Sequence, residues 1–288
     1  MPIFRDPEWI KQYYYPFAKY EDIPQTVFDE INERLDKLQS PEPLVSIVIT
    51  AWNEEVDLLK TIGSLSAMKT NYPLEIIVVN NNSTDHTQDT LDRLHLKNFF
   101  QPIQGWGPGR QMGMENARGK YILMADSDCI YPDCWVNNMI SKLSEPGVVC
   151  VYGRYSFISE KGFSRWQLTI LEVLKDLIAE VRHIKRPFLN CYGMSMGYIR
   201  ELGLKEGYYM NRFRGEDGRM CYDLMKYGKV KQVRSSENRL WTSVRTLKQS
   251  GSFNNALKIR LLKEIKRFSI YFNKRMKILL PKDQQPNP

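Results

Sequence analysis

Asp126 and Asp128 flank Ser127 at the end of the apolar run Tyr121-Ile122-Leu123-Met124-Ala125. Alternate residues of an extended chain share a side, so both carboxylates can face one place. Like charges that close repel, and a hard divalent cation, Mg2+ or Mn2+, would neutralise them while binding substrate phosphates. The bland alternative is a strand-terminating turn with an Asx cap. A second acidic pair, Glu216-Asp217, opens the segment GEDGRMCYDLMKYG, and alone it reads as an acidic first turn favoured by the helix dipole. Gly193-Met194-Ser195-Met196-Gly197 fits the G-x-S-x-G nucleophile elbow, but no histidine follows Ser195 to complete a triad. The segment GWGPGR at 105–110 is not a dinucleotide fingerprint.

These residues need a scaffold. From Leu44 onward, apolar runs alternate with amphipathic stretches. LVSIVITAW, LEIIVVN, NFFQPI, KYILMAD and GVVCVYGRYSF read as strands. EEVDLLKTIGSLSAM, STDHTQDTLDRL (capped by Ser83 or Thr84) and GRQMGMENA read as helices between them. The pattern predicts an α/β fold with a mostly parallel sheet covered on both faces. In such a sheet ligands bind beyond the carboxyl ends of the strands. Three of those ends carry polar clusters: TAWNEE, NNNSTD and DSD.

Before this core, residues 1–43 form an extension, helical from about Pro24 to Gln39 on the stripe Val27, Ile31, Leu35 and Leu38, with SPEP at 40–43 as a hinge. The core spans 44–244 and includes a long helix from Phe163 to Lys185 with Leu168, Leu171, Leu174 and Ile178 at helical spacing. A basic helical tail, 245–288, follows. Between Arg245 and Lys277 it has ten Lys or Arg and one acid, Glu264. Its stripe Leu257, Leu261, Ile265, Phe268 and Phe272 either packs on the core or meets an anionic membrane surface.

The bulk numbers set bounds. With 288 residues and 42% hydrophobic content the chain can bury one sizeable core. A net charge of +8 suits acidic partners such as nucleotide phosphates or an anionic membrane. No nucleic-acid motif accompanies the charge, so nucleic acid is not expected. Five cysteines without CxxC spacing point to reduced thiols in a cytoplasm. No run approaches the ~18 apolar residues of a membrane span. The expected location is cytoplasmic, or peripheral at the inner face of a membrane.

In order and spacing these motifs resemble the family-two nucleotide-sugar glycosyltransferases of the GT-A fold. VSIVITAWNEE is similar to the family's first strand and nucleotide loop, and EIIVVNNNSTDHT to its second. GRQMGMENARGKYILMADSD resembles the segment running into its Asp-x-Asp, and GMSMGYIREL followed by GED its acceptor side and base. The resemblance implies a metal-dependent, inverting transfer from a nucleoside diphosphate sugar, with UDP favoured and GDP or dTDP as alternatives, to a sugar or lipid-linked acceptor. Cell-surface polysaccharide or glycolipid synthesis would be its setting. It implies a donor site of Thr50, Ala51, Trp52, Glu54, Asn81, Arg110, Asp126 and Ser127, with Asp128 holding Mn2+ or Mg2+. Thr50, Ala51 and Trp52 line base and ribose, Asn81 reads the base edge where relatives commonly carry Asp, and Arg110 pairs with the nucleotide or diphosphate. Gly193, Met194 and Glu216 lie on the acceptor side. Asp217 is the general base that takes the proton of the attacking hydroxyl. Some relatives add a late histidine as metal ligand, and none follows His183 here. The competing class is a sugar-nucleotide-binding protein on the same fold that has lost catalysis.

Overall fold

The computed structural model describes residues 4–210 and 215–272, apart from the side chains at 263 and 265–272. Ten strands are assigned among them: β1 Val45–Ala51, β2 Leu74–Asn80, β3 Lys97–Phe100, β4 Tyr121–Asp126, β5 Cys129–Ile130, β6 Val148–Tyr152, β7 Tyr155–Phe157, β8 Met196–Ile199, β9 Lys229–Gln232 and β10 Leu240–Thr242. Seven form one sheet in the order β3-β2-β1-β4-β8-β6-β9. The β3-β2-β1-β4 half is parallel, as the alternation of strands and helices predicts. β8 runs antiparallel between β4 and β6. A smaller sheet, β5-β10-β7, sits beside it.

Period-two alternation sends successive residues of β1 to opposite faces. Ile47 and Ile49 join one core cluster with Leu123 and the helix Asp57–Ser66, and Val48 joins the other with Ile122 and Met124. Both faces are covered, which is why these strands read as continuous apolar runs. The run at 147–157 is not one strand. It breaks at Gly153-Arg154 into β6 and β7, which belong to different sheets.

The N-terminal extension contributes the helix Gln25–Leu38, whose Phe28, Ile31 and Leu35 are fully buried in the first core cluster. SPEP is no free hinge. The Ser40 N–H donates to Leu74 O at 2.8 Å and the Ile76 N–H to Gln39 Oε1 at 3.2 Å, tying the connection to β2. Ser83 and Thr84 do not cap the following helix, Thr87–Asp92. Their hydroxyls accept from the Asn53 N–H (3.0 Å) and Asn53 Nδ2 (3.4 Å), joining the loops after β1 and β2, while Asp85 Oδ1 accepts from the Thr87 N–H at 3.0 Å.

The long helix is Arg165–Lys185, with Leu168 and Leu171 buried as its spacing predicts. Of the tail, the helices Arg245–Lys248 and Phe253–Phe272 are described, and Phe253 and Ala256 pack with Leu168 and Leu171. The side chains of Ile265, Phe268 and Phe272 in the tail's stripe lie outside the described set. No described helix is long and apolar enough to cross a membrane. All five cysteines are free thiols.

Because Ile31 is sealed in the main core, Ile31→Ala is expected to cost about 2–5 kcal/mol in urea unfolding, within a single transition. A separate early transition for the extension would show that it folds independently.

Candidate active site

Strand register assembles the site. β1 and β4 are parallel and in register, so Thr50 lies beside Asp126, and on the other side of β1 Ala51 lies beside Asn80. The three polar strand ends therefore share one rim of the sheet. The turn after β4 is clamped from below. Thr61, buried on the helix Asp57–Ser66, donates through Oγ1 to Cys129 O (2.7 Å) and accepts from the Cys129 N–H (3.1 Å). Tyr131 Oη accepts from the Asp126 N–H at 3.0 Å and donates to Met194 O at 2.9 Å, so one phenol locks the Asp126 strand end to the 193–195 segment.

The centre of the rim is Arg110, on the helix Trp106–Asn116 and 4% exposed. Its guanidinium pairs with Glu216, reaches Asp217 Oδ1 at 2.6 Å and lies 3.6 Å from Asp126 Oδ1. The pair Glu216-Asp217 and one member of the other pair, Asp126, thus meet on one cation, while Asp128 does not. Glu216 and Asp217 begin the helix Glu216–Leu224, and its N-cap Gly215 has φ of 123°, a left-handed conformation that costs glycine little. Asp217 Oδ2 accepts from the Gly193 N–H at 2.7 Å. A Cβ at Gly193 would stand 2.1 Å from Arg110 Nη2, so only glycine lets backbone, guanidinium and carboxylate meet there. The room left by the missing side chain at Gly193 is taken up by Arg110. Ser195 is buried and accepts from Trp135 Nε1 at 3.3 Å, a structural position rather than an exposed nucleophile.

Among the described residues one cation, Arg110, is shared by three carboxylates, which leaves excess negative charge. Burial raises Asp217 to about 7: Arg110 and the Gly193 N–H pull it down, while Glu216 and Asp126 push it up. Burial likewise raises Asp126 to about 6, with Arg110 opposing and Asp128 adding to the rise. Arg110 itself is held more firmly protonated by its acidic neighbours, although burial opposes this.

A second cation escaped the sequence reading. Arg245, just beyond β10, lies 2.9 Å from Glu54 Oε1 and 2.9 Å from Asp128 Oδ2. Glu54 is buried, and that burial, with Asp128 and Asp57 nearby and Arg245 opposing, raises it to about 7. A three-residue strand followed by one arginine among ten basic tail residues carries no periodic signal that would single Arg245 out.

The other expected donor residues line the same rim. Trp52 is 48% exposed and offers an open ring face, Ala51 and Ser127 are buried, and Thr50 is half-buried. Asn81 is buried, and its Oδ1 accepts from the Gly105 N–H at 3.1 Å, so its carbonyl holds the loop that leads into the Arg110 helix. Arg110 departs most from expectation: its guanidinium is engaged by carboxylates of the chain itself.

The sequence profile of Glycosyl transferase family 2 matches residues 46–203, more than half of the chain. The chain belongs to Glycosyl transferase family 2. An uncharacterised glycosyltransferase of Haemophilus influenzae is 29% identical over 127 residues, covering 42% of this chain and 50% of that protein. An Escherichia coli UDP-Glc:alpha-D-GlcNAc-diphosphoundecaprenol beta-1,3-glucosyltransferase is 29% identical over 118 residues, covering 39% of this chain and 46% of that one. These matches span half or less of the curated relatives' lengths. Among solved structures, the mannosyltransferase of Pyrobaculum calidifontis in complex with GDP-Man and Mn2+ superimposes with a TM-score of 0.53 at 17% identity, covering 78% of this chain and 66% of that one. GalNAc-T7 with UDP, GalNAc and Mn2+ gives a TM-score of 0.54 at 18% identity, covering 71% and 44%. The fold of this family 2 member is GT-A.

A divalent cation suits the donor end of this family 2 site. Among the described residues, Asp126, Asp128, Glu54, Glu216 and Asp217 pair with two cations, Arg110 and Arg245, and all the donors are hard oxygens. Among the described residues no three carboxylates converge tightly enough to cage an ion alone. Asp128, with Asp126 or Glu54 beside it, would supply one or two ligands, leaving the rest to phosphate and water.

Removing the central cation strands buried charge. Arg110→Met is expected to lose about 3–5 kcal/mol at pH 8, where its partners are ionised. The loss should shrink at pH 5, because protonation neutralises carboxylates whose pKa values rise further without Arg110. Urea titrations at both pH values test this, and an equal loss at each would contradict it.

Proposed function

We propose that this protein transfers a sugar from a nucleoside diphosphate sugar to an acceptor hydroxyl, with inversion at the anomeric carbon and Asp217 as general base. The observation that carries the reading is Asp217 itself: a buried carboxylate held near pKa 7, oriented by the Gly193 N–H, on the same guanidinium as the strand end that bears Asp126 and Asp128. A sugar hydroxyl is a poor nucleophile, and a carboxylate poised near neutral pH takes its proton as it attacks. No covalent nucleophile is needed, and direct displacement inverts the anomeric centre.

The donor lies along the rim of β1, β2 and β4. Trp52 stacks on the base, Thr50, Ala51 and Asn81 border it, and Asp126 with Ser127 lies by the ribose. Asp128 takes Mn2+ or Mg2+, and a metal bound there neutralises charge on the departing diphosphate. No histidine follows His183, and the side chain that reaches Asp128 here is Arg245. In the unliganded site its guanidinium neutralises Asp128 and Glu54, and it lies within reach of the diphosphate end of the donor. Gly193, Met194 and Glu216 border the acceptor side, and Arg110 positions Asp217 and Asp126 rather than binding phosphate.

A thermal-shift series with UDP-, GDP- and dTDP-sugars, each with and without Mn2+, tests donor binding. One donor is expected to raise the melting temperature, more so with Mn2+, and Asp128→Asn should abolish the Mn2+-dependent part only. A metal-independent loss would remove Asp128 from its role. With the donor known, Asp217→Asn should still bind it while transfer falls by about 10²–10⁴-fold. The wild-type rate should rise with pH through about 7, as Asp217 loses its proton. Undiminished transfer by the variant would exclude Asp217 as the base.

A further inference from the structure

The helix Arg165–Lys185 is built inside out. Its exposed residues are Trp166, Ile170, Val173, Leu177, Val181 and Ile184, plus Lys185 at its end. The six apolar positions recur every three or four residues, so they form one stripe along about 30 Å of helix. Leu177 is 60% exposed and Ile184 77%. The charged residues are turned the other way. Arg165 and Glu172 are buried and paired at 2.5 Å, Asp176 is buried against Arg239, and Arg182 is buried against Glu264. A helix facing water does the reverse, because burying charge is costly and exposing leucine gains nothing. Isolated exposed apolar residues are ordinary, whereas a continuous stripe marks a contact surface.

We propose that this face lies on an anionic phospholipid bilayer. The surroundings supply the argument for that occupant. The helix Phe253–Phe272 packs alongside, through Phe253 and Ala256 against Leu168 and Leu171 and through Glu264 with Arg182. It carries Lys258, Arg260, Lys263, Lys266 and Arg267 against the single acid Glu264, which Arg182 engages. Lys185, next to Ile184 of the stripe, and Lys258 on the second helix are exposed, and Leu261 and Leu262 add exposed apolar side chains on that helix. An apolar stripe with a cationic border complements a surface that is apolar within and anionic at its headgroups. Two copies packed face to face would instead bring the same cationic borders together. With no described helix able to span, the contact is in the plane of the interface. The inference does not rest on the transfer reaction: donor binding and vesicle binding are separate measurements.

Flotation of the full chain with phosphatidylcholine vesicles containing phosphatidylglycerol, against phosphatidylcholine alone, tests it. The protein is expected to float with the anionic vesicles, less so as salt rises. The double variant Leu177→Glu, Val181→Glu should lose at least about tenfold in partitioning, with an unchanged thermal melt since both side chains face outward. The uncharged pair Leu177→Ser, Val181→Ser should lose less in the same direction, and Lys258→Glu should weaken binding to anionic vesicles alone. Failure of the wild type to float would overturn the proposal, as would equal flotation of the double variant. So would a solution dimer in sedimentation velocity that the double variant dissociates while no vesicle binding is seen.

Discussion

One guanidinium carries the organisation of the site. Arg110 is buried, and the groups that bury it are acids from separate parts of the chain: Asp126 from the end of β4, Glu216 and Asp217 from the start of a helix ninety residues later. Without a cation among them these carboxylates would repel, and burial would drive them to the neutral form. Burial is the main reason Asp217 stays poised near 7, and among the described residues a single cation shared with Glu216 and Asp126 offsets that burial only in part. Gly193 belongs to the same device, since its missing side chain admits the guanidinium while its N–H aims Asp217.

The other end of the rim repeats the theme with a looser cation. Arg245 is about half exposed and reaches Glu54 and Asp128 from the beginning of the tail. Arg110 is locked in place by packing, and Arg245 is held by two ion pairs at a surface where screening is stronger. The contrast suits the roles proposed for the two ends, a base at Asp217 that keeps one geometry and a phosphate end at Asp128 that exchanges partners. It also ties the basic tail to the rim, so the segment that packs beside the exposed apolar stripe begins at Glu54 and Asp128.

The parts legible in the sequence were those with long-range periodicity or an unbroken apolar run. β1, β2 and β4 announced themselves because both sheet faces are covered, and the acids after β4 drew attention by ending such a run. The pairing of Asp126 with Asp217 through Arg110 was not legible, because it depends on β8 inserting antiparallel beside β4 and carrying the 193–195 segment to the rim. β5, β8, β9 and β10 have two to four residues each, too few for a pattern. Ser83 and Thr84 have the chemistry of caps but serve Asn53, a choice made by the neighbouring loop. On the long helix two apolar stripes of the same period run side by side. The one through Leu168 and Leu171 faces inward, and the period alone does not separate it from the exposed stripe running from Trp166 to Ile184.

The most direct test is a carboxyl 13C titration of Asp217 in the unliganded wild-type protein, its resonance assigned by comparison with Asp217→Asn. Burial only partly offset by the shared guanidinium predicts a midpoint near 7. A midpoint at or below the ordinary aspartate value of about 4 would mean that Arg110 neutralises Asp217 outright, and would contradict its role as a base poised for a hydroxyl proton.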